Sequence, residues 1–506
     1  MLIKSFGPAV VLGVFLAGAA SAATLQDTGS DSDNWQRARA ELDRRMAVDV
    51  RPQQARNVIL FIADGMSIPT ISAARIYGGE QAGDGETHTL SFEAFPSTAL
   101  VRTYNADAQV ADSASTATAL VTGHKTRSGA ISVRPDQFLD ACAPDADLPP
   151  TLVELAERRG LATGIVSTAR LTHATPATLY AHSLIRSWEA DSDMRPEGVA
   201  AGCVDIAAQL LAFDEGDGIE LALGGGRARF LPEAEGGVRA DGRNLIAEWQ
   251  AHDRVAVTDA AGFRALDPAA GAPVLGLFTD SHMAYEADRS EADEPSLAEM
   301  TAFAIDRLSQ NEDGYVLMVE AGRVDHAHHV TNAYRALTDM QAFDAAIAAA
   351  LERVDLDETL IVVTADHGHT MTFSGYPGRG NPILGLVRRA NPYEPGSEPQ
   401  LTLDESGRPY TTLGYQNGPN VRPHDGEPLD DETVLAPDYR QETAIALSDE
   451  THSGADVALY ANGPRAHWFG GSIEQNTVFH LISAALGWQP DGDEDADEDG
   501  GETASE

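Results

Sequence analysis

Asn57-Val-Ile-Leu-Phe-Ile-Ala-Asp64-Gly65 is an unbroken apolar segment that ends in an acid and a glycine. Residues 314–320 and 360–367 have the same form, the first ending in a glutamate and the second in an Asp-His pair. Apolar runs of this length are typical of strands that are buried on both faces of a parallel sheet. They predict an α/β fold with a doubly wound, mostly parallel central sheet flanked by helices.

The polar residues at the ends of these strands indicate a metal centre. The C-terminal ends of parallel strands meet at one edge of a sheet, where ligands collect. We therefore expect Asp64, Glu320, Asp366 and His367 to lie close together. Because an unpaired buried charge is costly, three such acids beside a histidine favour bound cations over purely structural carboxylates.

Residue type and spacing predict three sets of metal ligands. The first has one carboxylate and two imidazoles, the pattern of a catalytic zinc site: Asp325, His329 and His452. The second has two carboxylates and one imidazole: Asp64, Asp366 and His367. The third is an oxygen-only set, which suits magnesium: Asp64, Glu320 and Thr175.

Three of these residues are assigned by helical arguments. Asp325 and His329 are four positions apart, so a helical turn places both side chains on one face. Thr175 precedes Pro176, which predicts a helix over residues 176–185 with Thr175 as its N-cap and Pro176 at its first position. A plain capping role is therefore the alternative to a ligand role for Thr175.

Residues 110–122 contain the candidate nucleophile. Asp112 has the side chain of an N-cap, Ser113 is then the first helical residue, and Gly123 ends the helix. A hydroxyl at a helix N-terminus faces unpaired N–H groups and the positive end of the dipole, which suits a nucleophile that attacks an anion. On these residues alone, the alternative is that Asp112 and Ser113 only cap a helix.

Arg186 is the candidate anion-binding residue. Two zinc ions about 4 Å apart can clamp an in-line displacement at phosphorus. The transferring group also needs positive charge on its oxygens, and Arg186 follows the helix predicted over residues 176–185. A guanidinium there can bind two of those oxygens bidentately.

Composition and terminal segments indicate an exported protein. Residues 1–22 have the form of a signal peptide, residues 23–50 read as a lead-in, and the acidic tail 491–506 is expected to be disordered. No later segment resembles a membrane span. The 78 acidic against 35 basic residues give a net charge of −43, which argues against nucleic acid as a partner. We expect the mature protein in the periplasm or outside the cell.

The chain has only two cysteines, Cys142 and Cys203. In an exported protein, two cysteines favour one disulfide. Two unpaired thiols are the alternative.

Several motifs together resemble the alkaline phosphatase family. They are Asp112-Ser113-Ala114 with Thr116-Ala117-Thr118, residues 319–329, residues 364–369 and residues 451–454. The resemblance extends over residues 51–490. It implies hydrolysis of small-molecule phosphate monoesters to an alcohol and inorganic phosphate, through a phosphoserine at Ser113. It also implies two zinc ions on the first two ligand sets, one magnesium ion on the third, and phosphate held by Arg186.

The closest resemblance is to the animal-type branch, because His173 and His326 stand where enteric bacterial members carry Asp and Lys. With Asp112, these histidines are expected beside the ligands and the phosphate rather than on the metals. The branch also implies a homodimer, a crown-like insertion at about residues 376–450, and a Cys142–Cys203 disulfide. The resemblance does not extend to a peripheral calcium site, because Phe278 is followed by Thr279 instead of glutamate, although three acids are near: Asp280, Glu286 and Glu294.

Three readings compete with this one. A sulfatase needs a Cys/Ser-x-Pro-x-Arg signature, which the residues after Ser113 lack, and Arg186 favours a monoester over a phosphodiester. A secreted metal- or phosphate-binding protein without activity would not need Ser113 beside metal ligands.

His328 and His369 match no ligand position, so we interpret them as packed histidines or as histidines that orient a ligand.

Overall fold

The computed structural model describes residues 33–394, 396–422 and 426–488. The predicted signal peptide and acidic tail lie outside these residues, as does the start of the lead-in, and all three remain predictions. Within the described part of the chain, no helix combines the length and the apolar character needed to cross a membrane. The chain divides into two units, residues 1–49 and residues 50–506. The first contains one described helix, α1 (Asp33–Met46).

The described residues of the second unit contain thirteen further α-helices. They are α2 (Ile68–Ala82), α3 (Ser113–Thr122), α4 (Leu152–Glu157), α5 (Ala174–Ala177), α6 (Pro196–Ala200), α7 (Ile206–Ala212), α8 (Leu245–Gln250), α9 (Ala260–Arg264), α10 (Leu297–Leu308), α11 (Arg323–His329), α12 (Ala333–Leu351), α13 (Asp431–Val434) and α14 (Thr477–Ala485). The same residues contain seventeen strands. They are β1 (Asn57–Ala63), β2 (Ser97–Arg102), β3 (Ala162–Arg170), β4 (Leu221–Gly225), β5 (Val255–Val257), β6 (Val274–Leu277), β7 (Tyr315–Ala321), β8 (Thr359–Thr364), β9 (Gly368–His369), β10 (Met371–Phe373), β11 (Arg388–Arg389), β12 (Gln400–Leu401), β13 (Leu413–Gly418), β14 (Thr443–Ala446), β15 (His452–Ser453), β16 (Val457–Asn462) and β17 (Gly471–Glu474).

Ten strands form the central sheet, in the order β17-β2-β16-β8-β1-β7-β3-β4-β6-β5. The pairs of β1 with β7 and with β8 are parallel, and β16 runs antiparallel to both of its neighbours. Strands β7 and β8 are buried along their whole length, as an interior parallel strand requires. Helices flank the sheet; on α12, for example, the ring of Phe343 packs edge-on against Phe61 of β1, with 5.9 Å between ring centroids. The predicted α/β fold is confirmed.

Two of the predicted helices are confirmed and one is wrong. Helix α3 begins at Ser113 behind the N-cap Asp112 and ends before Gly123, which has a left-handed φ of 74°. Helix α11 contains the helical turn expected for Asp325 and His329.

The helix predicted over residues 176–185 is instead the single turn α5, with His173 as its N-cap. Ser183 exchanges two backbone hydrogen bonds with Ile131, and the Arg186 N–H donates to Gly129 at 2.7 Å. These residues therefore pair with the chain that follows α3, and this pairing replaces the helix. Thr175 lies inside the turn, so the interpretation of Thr175 as an N-cap is also wrong.

The described residues of the segment 376–450, which is predicted as an insertion and is called the insertion below, are irregular. Its strands are short, and β13 joins β10 and β14 in a separate three-stranded sheet. The end of this region leads directly into β15, which pairs antiparallel with β9 and places His452 opposite His369. The insertion is thereby tied to the edge of the central sheet.

Candidate active site

The register of three adjacent strands brings the predicted acids together. Ile62 of β1 lies beside Glu320 of β7 and beside Thr364 of β8. Asp64 and Asp366 follow immediately, and both are fully buried. Gly65 comes next, with a φ of 78°, and a Cβ there would lie 2.5 Å from the ring of His369. The turn after β1 therefore requires glycine.

We call Asp64, Asp366 and His367 the sheet-edge set. The His367 Nε2 atom lies 3.4 Å from Asp64 Oδ1 and 3.3 Å from Asp366 Oδ2. Both carboxylate oxygens of Asp64 are buried without a hydrogen-bond partner among the described residues. Because buried polar atoms normally have partners, this convergence of one nitrogen and several carboxylate oxygens fits a divalent cation.

Ser113 lies against the sheet-edge set. Its Oγ atom is 3.0 Å from His367 Nε2. The start of α3 is fixed by Asp112, whose side chain accepts hydrogen bonds from the N–H groups of Ser115 and Gly129. One turn further along, the Thr116 hydroxyl donates to Asp366 at 3.3 Å. The hydroxyl of Ser113 is thus presented to the sheet-edge set by a capped helix.

We call Asp325, His329 and His452 the helix set, because its first two members lie on α11. The Nε2 atoms of His329 and His452 are 3.2 Å apart and lie 3.3 Å and 3.4 Å from Asp325 Oδ1. Each histidine donates its Nδ1–H to a backbone carbonyl, His329 to Glu450 at 2.6 Å and His452 to Ala111 at 2.8 Å. Both Nε2 lone pairs are therefore free to face a metal together with the carboxylate.

We call Asp64, Glu320 and Thr175 the third set. Glu320 accepts a hydrogen bond from the Ser167 hydroxyl, while its Oε1 atom and the Thr175 hydroxyl are buried without partners among the described residues. One ring nitrogen of His173 lies within 4.8 Å of carboxylate oxygens of Asp64 and Glu320. His173 therefore lies beside the third set, whose own three members supply only oxygen atoms.

These carboxylates carry more negative charge than their surroundings balance. Burial, with repulsion from Asp366, Asp325 and Glu320, raises the pKa of Asp64 well above its usual range. Burial also raises the pKa of Glu320 to about 8. Cations at the sheet-edge and third sets would stabilise the ionised carboxylates.

Arg186 is held by two of the residues predicted to lie beside the site. Its Nη1 donates to Asp112 Oδ2 and its Nη2 to His173 Nε2, each at 3.1 Å. Burial tends to raise the pKa of Asp112, but the charge of Arg186 and several hydrogen bonds outweigh it and lower that pKa. The orientation of the Arg186 guanidinium is thus fixed by hydrogen bonds to Asp112 and His173.

His326 belongs to a cluster whose third member the sequence analysis missed. The ring of His282 lies 5.1 Å from that of His173 and 4.1 Å from that of His326, between centroids. Arginine N–H groups donate to all three rings, and burial lowers the pKa of each of them, that of His326 to about 3. The cluster is neutral. His282 lies in a loop after β6, and no sequence spacing relates it to the other two.

His369 contacts a member of the helix set. His369 lies between two carboxylates, Glu450 at Nδ1 and Asp325 at Nε2. Although burial opposes it, the hydrogen bond to Asp325 and the nearby charges raise the pKa of His369 to about 9. The same contacts outweigh burial and hold the pKa of Asp325 well below its usual range. The sequence analysis also missed Glu450, whose only signal is an acid two residues before His452.

His328, on α11, is fully buried. Its ring nitrogens lie 2.7 Å from the Tyr415 hydroxyl and 3.1 Å from Thr70 Oγ1. Both nitrogens are therefore used in packing α11 against its neighbours.

Away from the site, Cys142 and Cys203 form the predicted disulfide. The acids near Phe278 are held by other partners. Asp280 pairs with Arg227 and Glu286 with Arg289, each at 2.8 Å, and Glu294 accepts the Ala284 N–H at 2.9 Å. Arginine partners thus neutralise two of the three carboxylates that a calcium ion would need.

A family model described as "Alkaline phosphatase" matches residues 55–488. The chain belongs to the alkaline phosphatase family. It is 39% identical to the membrane-bound alkaline phosphatase of Bombyx mori, over 93% of this chain and 88% of that one. It is 38% identical to the tissue-nonspecific isozyme of Gallus gallus, over 93% and 92% of the two chains. It is therefore an enzyme, an alkaline phosphatase, and the family assignment supports phosphomonoester hydrolysis.

A solved alkaline phosphatase from Thermus thermophilus has the same fold as this one. It superposes with a TM-score of 0.63 and 24% identity, over 87% of this chain and 93% of that chain. The large, mostly parallel sheet of this alkaline phosphatase is thus shared with a solved member of the family.

Proposed function

We propose that this chain hydrolyses phosphate monoesters through a phosphoserine formed on Ser113, with two zinc ions and one magnesium ion. The observation that carries this proposal is the contact of Ser113 Oγ with His367 Nε2, at 3.0 Å. It joins a hydroxyl at a helix N-terminus to a set of buried ligands. A serine hydroxyl is a poor nucleophile unless its surroundings activate it.

The sheet-edge set and the helix set would each hold one zinc, because each combines imidazole nitrogen with carboxylate oxygen. The third set would hold magnesium, because it supplies only oxygens directly. Bound there, the metals would act as Lewis acids. They would favour the deprotonated form of an attacking oxygen and stabilise the charge that develops on a leaving oxygen. The buried, unpartnered atoms of Asp64, Thr175 and Glu320 support this assignment.

The chain's own residues define the two halves of the reaction. Ser113 Oγ bonds to phosphorus as the bond between phosphorus and the ester oxygen breaks, and the alcohol leaves with a proton. Water then attacks the same phosphorus, the bond to Ser113 Oγ breaks, and inorganic phosphate leaves. Arg186, fixed by Asp112 and His173, binds the non-bridging oxygens in both halves.

Export and dimer formation are further parts of the proposal. A disulfide is typical of proteins outside the reducing cytosol, which supports export. The insertion over residues 376–450 exposes several large apolar side chains, among them Tyr376, Tyr393, Leu403 and Ile445. Contiguous exposed apolar patches mark interaction sites, so these side chains are the candidates for the contact of a homodimer. Light scattering of the purified protein should give twice the chain mass.

Turnover of three nitrophenyl substrates tests the reaction class: p-nitrophenyl phosphate, the bis-ester and the sulfate. We expect the phosphate monoester to be preferred by orders of magnitude. Ser113→Ala should lose almost all of this activity, while Ser483→Ala, which removes a hydroxyl from α14, should keep it. Preference for the diester or the sulfate, or full activity of Ser113→Ala, would contradict the proposal.

A further inference from the structure

Contacts of the segment that ends the insertion lead to all three ligands of the helix set, directly to His329 and through His369 to Asp325. We infer that Glu450 is a positioning residue that holds Asp325, His329 and His452 in register and thereby sets the affinity of the helix set for its metal. This inference rests on the proposed function, since it concerns a site that the proposal assigns to zinc.

The backbone of Glu450 fixes His329. The Glu450 carbonyl accepts the Nδ1–H of His329 at 2.6 Å, and the Glu450 N–H donates to the His329 carbonyl at 2.9 Å. The first bond selects the ring orientation that leaves Nε2 for a metal. The second fastens the end of α11 to the end of the insertion.

The side chain of Glu450 reaches Asp325 through one residue. Its Oε2 accepts the Nδ1–H of His369, whose Nε2–H donates to Asp325 Oδ1 at 2.7 Å. Its Oε1 accepts the Thr370 N–H at 2.6 Å and also the Thr370 hydroxyl. The residue is 1% exposed, so water cannot replace these contacts. Loss of the carboxylate would leave His369 free to turn and Asp325 without its partner.

The position of Glu450 in the chain accounts for the third ligand. His452 follows two residues later, and it pairs with His369 across β15 and β9. The contacts of Glu450 therefore lead to all three members of the helix set. They reach the sheet-edge set one step later, because the ring of His367 contacts those of His369 and His452, with 5.6 Å and 3.5 Å between centroids.

Glu450 is unsuited to bind metal itself. One nitrogen each of His329 and His369 lies within 4.8 Å of a carboxylate oxygen of Glu450. Both oxygens of Glu450, however, accept hydrogen bonds, and both nitrogens of His369 face carboxylates. The group is a hydrogen-bonded support and not a fourth ligand set.

Zinc affinity of the complete protein tests the inference. Glu450→Gln should be compared with Glu442→Gln, which makes the same change at a half-buried acid of the insertion that pairs with Arg422. Zinc retained per chain is measured by dialysis against chelators of graded strength. In Glu450→Gln we expect one zinc equivalent to bind roughly 10–100-fold more weakly, with the other equivalents unchanged. Glu442→Gln should match the wild type.

His369→Gln is the second variant, because it breaks the path to Asp325 and keeps the bonds between Glu450 and Thr370. It should weaken the same single equivalent in the same chelator series. Wild-type zinc affinity in both variants would overturn the inference. Loss of that equivalent at every zinc concentration in Glu450→Gln alone would also overturn it, by making Glu450 a ligand. A wild type that binds fewer than two zinc ions, or does not hydrolyse p-nitrophenyl phosphate, would instead contradict the proposed function.

Discussion

The sheet-edge set and the helix set contain the same residue types but are held in place differently. Asp64, Asp366 and His367 directly follow β1 and β8, are fully buried, and owe their positions to strand register. In the helix set, the side chain of His329 is 31% exposed and that of His452 is 14% exposed. Hydrogen bonds from the end of the insertion hold that set. The central sheet thus positions the sheet-edge set, whereas the position of the helix set depends on a region outside the sheet.

The largest expected difference between the two sets is in turnover. His367→Ala should lower turnover by about a thousandfold or more, because a metal ligand worth several kcal/mol is lost together with the contact to Ser113. Excess zinc should restore more activity to His329→Ala, in which Ser113 keeps its contact. Steady-state turnover of p-nitrophenyl phosphate across a zinc series measures both. Equal recovery of the two variants would remove the distinction between the sets.

Arg186→Ala should separate anion binding from both metal sets. Loss of charge-assisted hydrogen bonds should weaken the binding of inorganic phosphate by about 1.5–3 kcal/mol, or roughly 10–150-fold. Competitive inhibition by phosphate measures this change, and the metal content should stay at the wild-type value. Arg227→Ala, whose partner is Asp280, serves as the control. Unchanged inhibition by phosphate would show that Arg186 does not hold the anion.

Metal release should occur in two phases when a chelator is added in excess. The helix set should release its metal several-fold faster, because two of its ligands are partly exposed, whereas the sheet-edge ligands are enclosed. Zinc in solution and residual activity are followed over time, and Glu450→Gln should accelerate the first phase only. A single phase that includes all of the metal would contradict this order.

Proton release should also differ between the sets. In the metal-free protein burial raises the pKa of Glu320 to about 8 and also raises that of Asp64, so below pH 8 a metal must displace the proton of Glu320. Affinity at the third set should therefore rise with pH and level off above about 8, and affinity at the sheet-edge set should rise with pH as well. Asp325 has a lowered pKa and should release none. Calorimetry at pH 7 in two buffers of different ionisation enthalpy counts these protons; no difference between the buffers would contradict the assignment.

The sheet-edge set could be predicted from the sequence because its information is local. An apolar run marks each strand, the acid lies at its end, and parallel strands place those ends together. The proximity of Asp64 and Asp366, and of the neighbouring Glu320, could therefore be predicted without the tertiary structure. The four-residue spacing of Asp325 and His329 predicted their proximity in the same way, because both residues lie within one helix.

Residues whose roles depend on tertiary pairing could not be predicted. The helix expected over residues 176–185 was wrong because Ser183 pairs with Ile131, more than fifty positions earlier. His282 joins His173 and His326 from a separate loop. Glu450 acts through His369, a contact across eighty-one positions. Each of these features depends on partners that only the fold brings together.

The central claim is that Ser113 carries the phosphoryl group during turnover. The most direct measurement is an acid quench of the metal-loaded enzyme during turnover of a monoester, followed by peptide mass spectrometry. We predict a single phosphorylated peptide with the phosphate on Ser113, and no such peptide from Ser113→Ala. An active enzyme that yields no phosphorylated peptide, or one phosphorylated at another residue, would contradict this account.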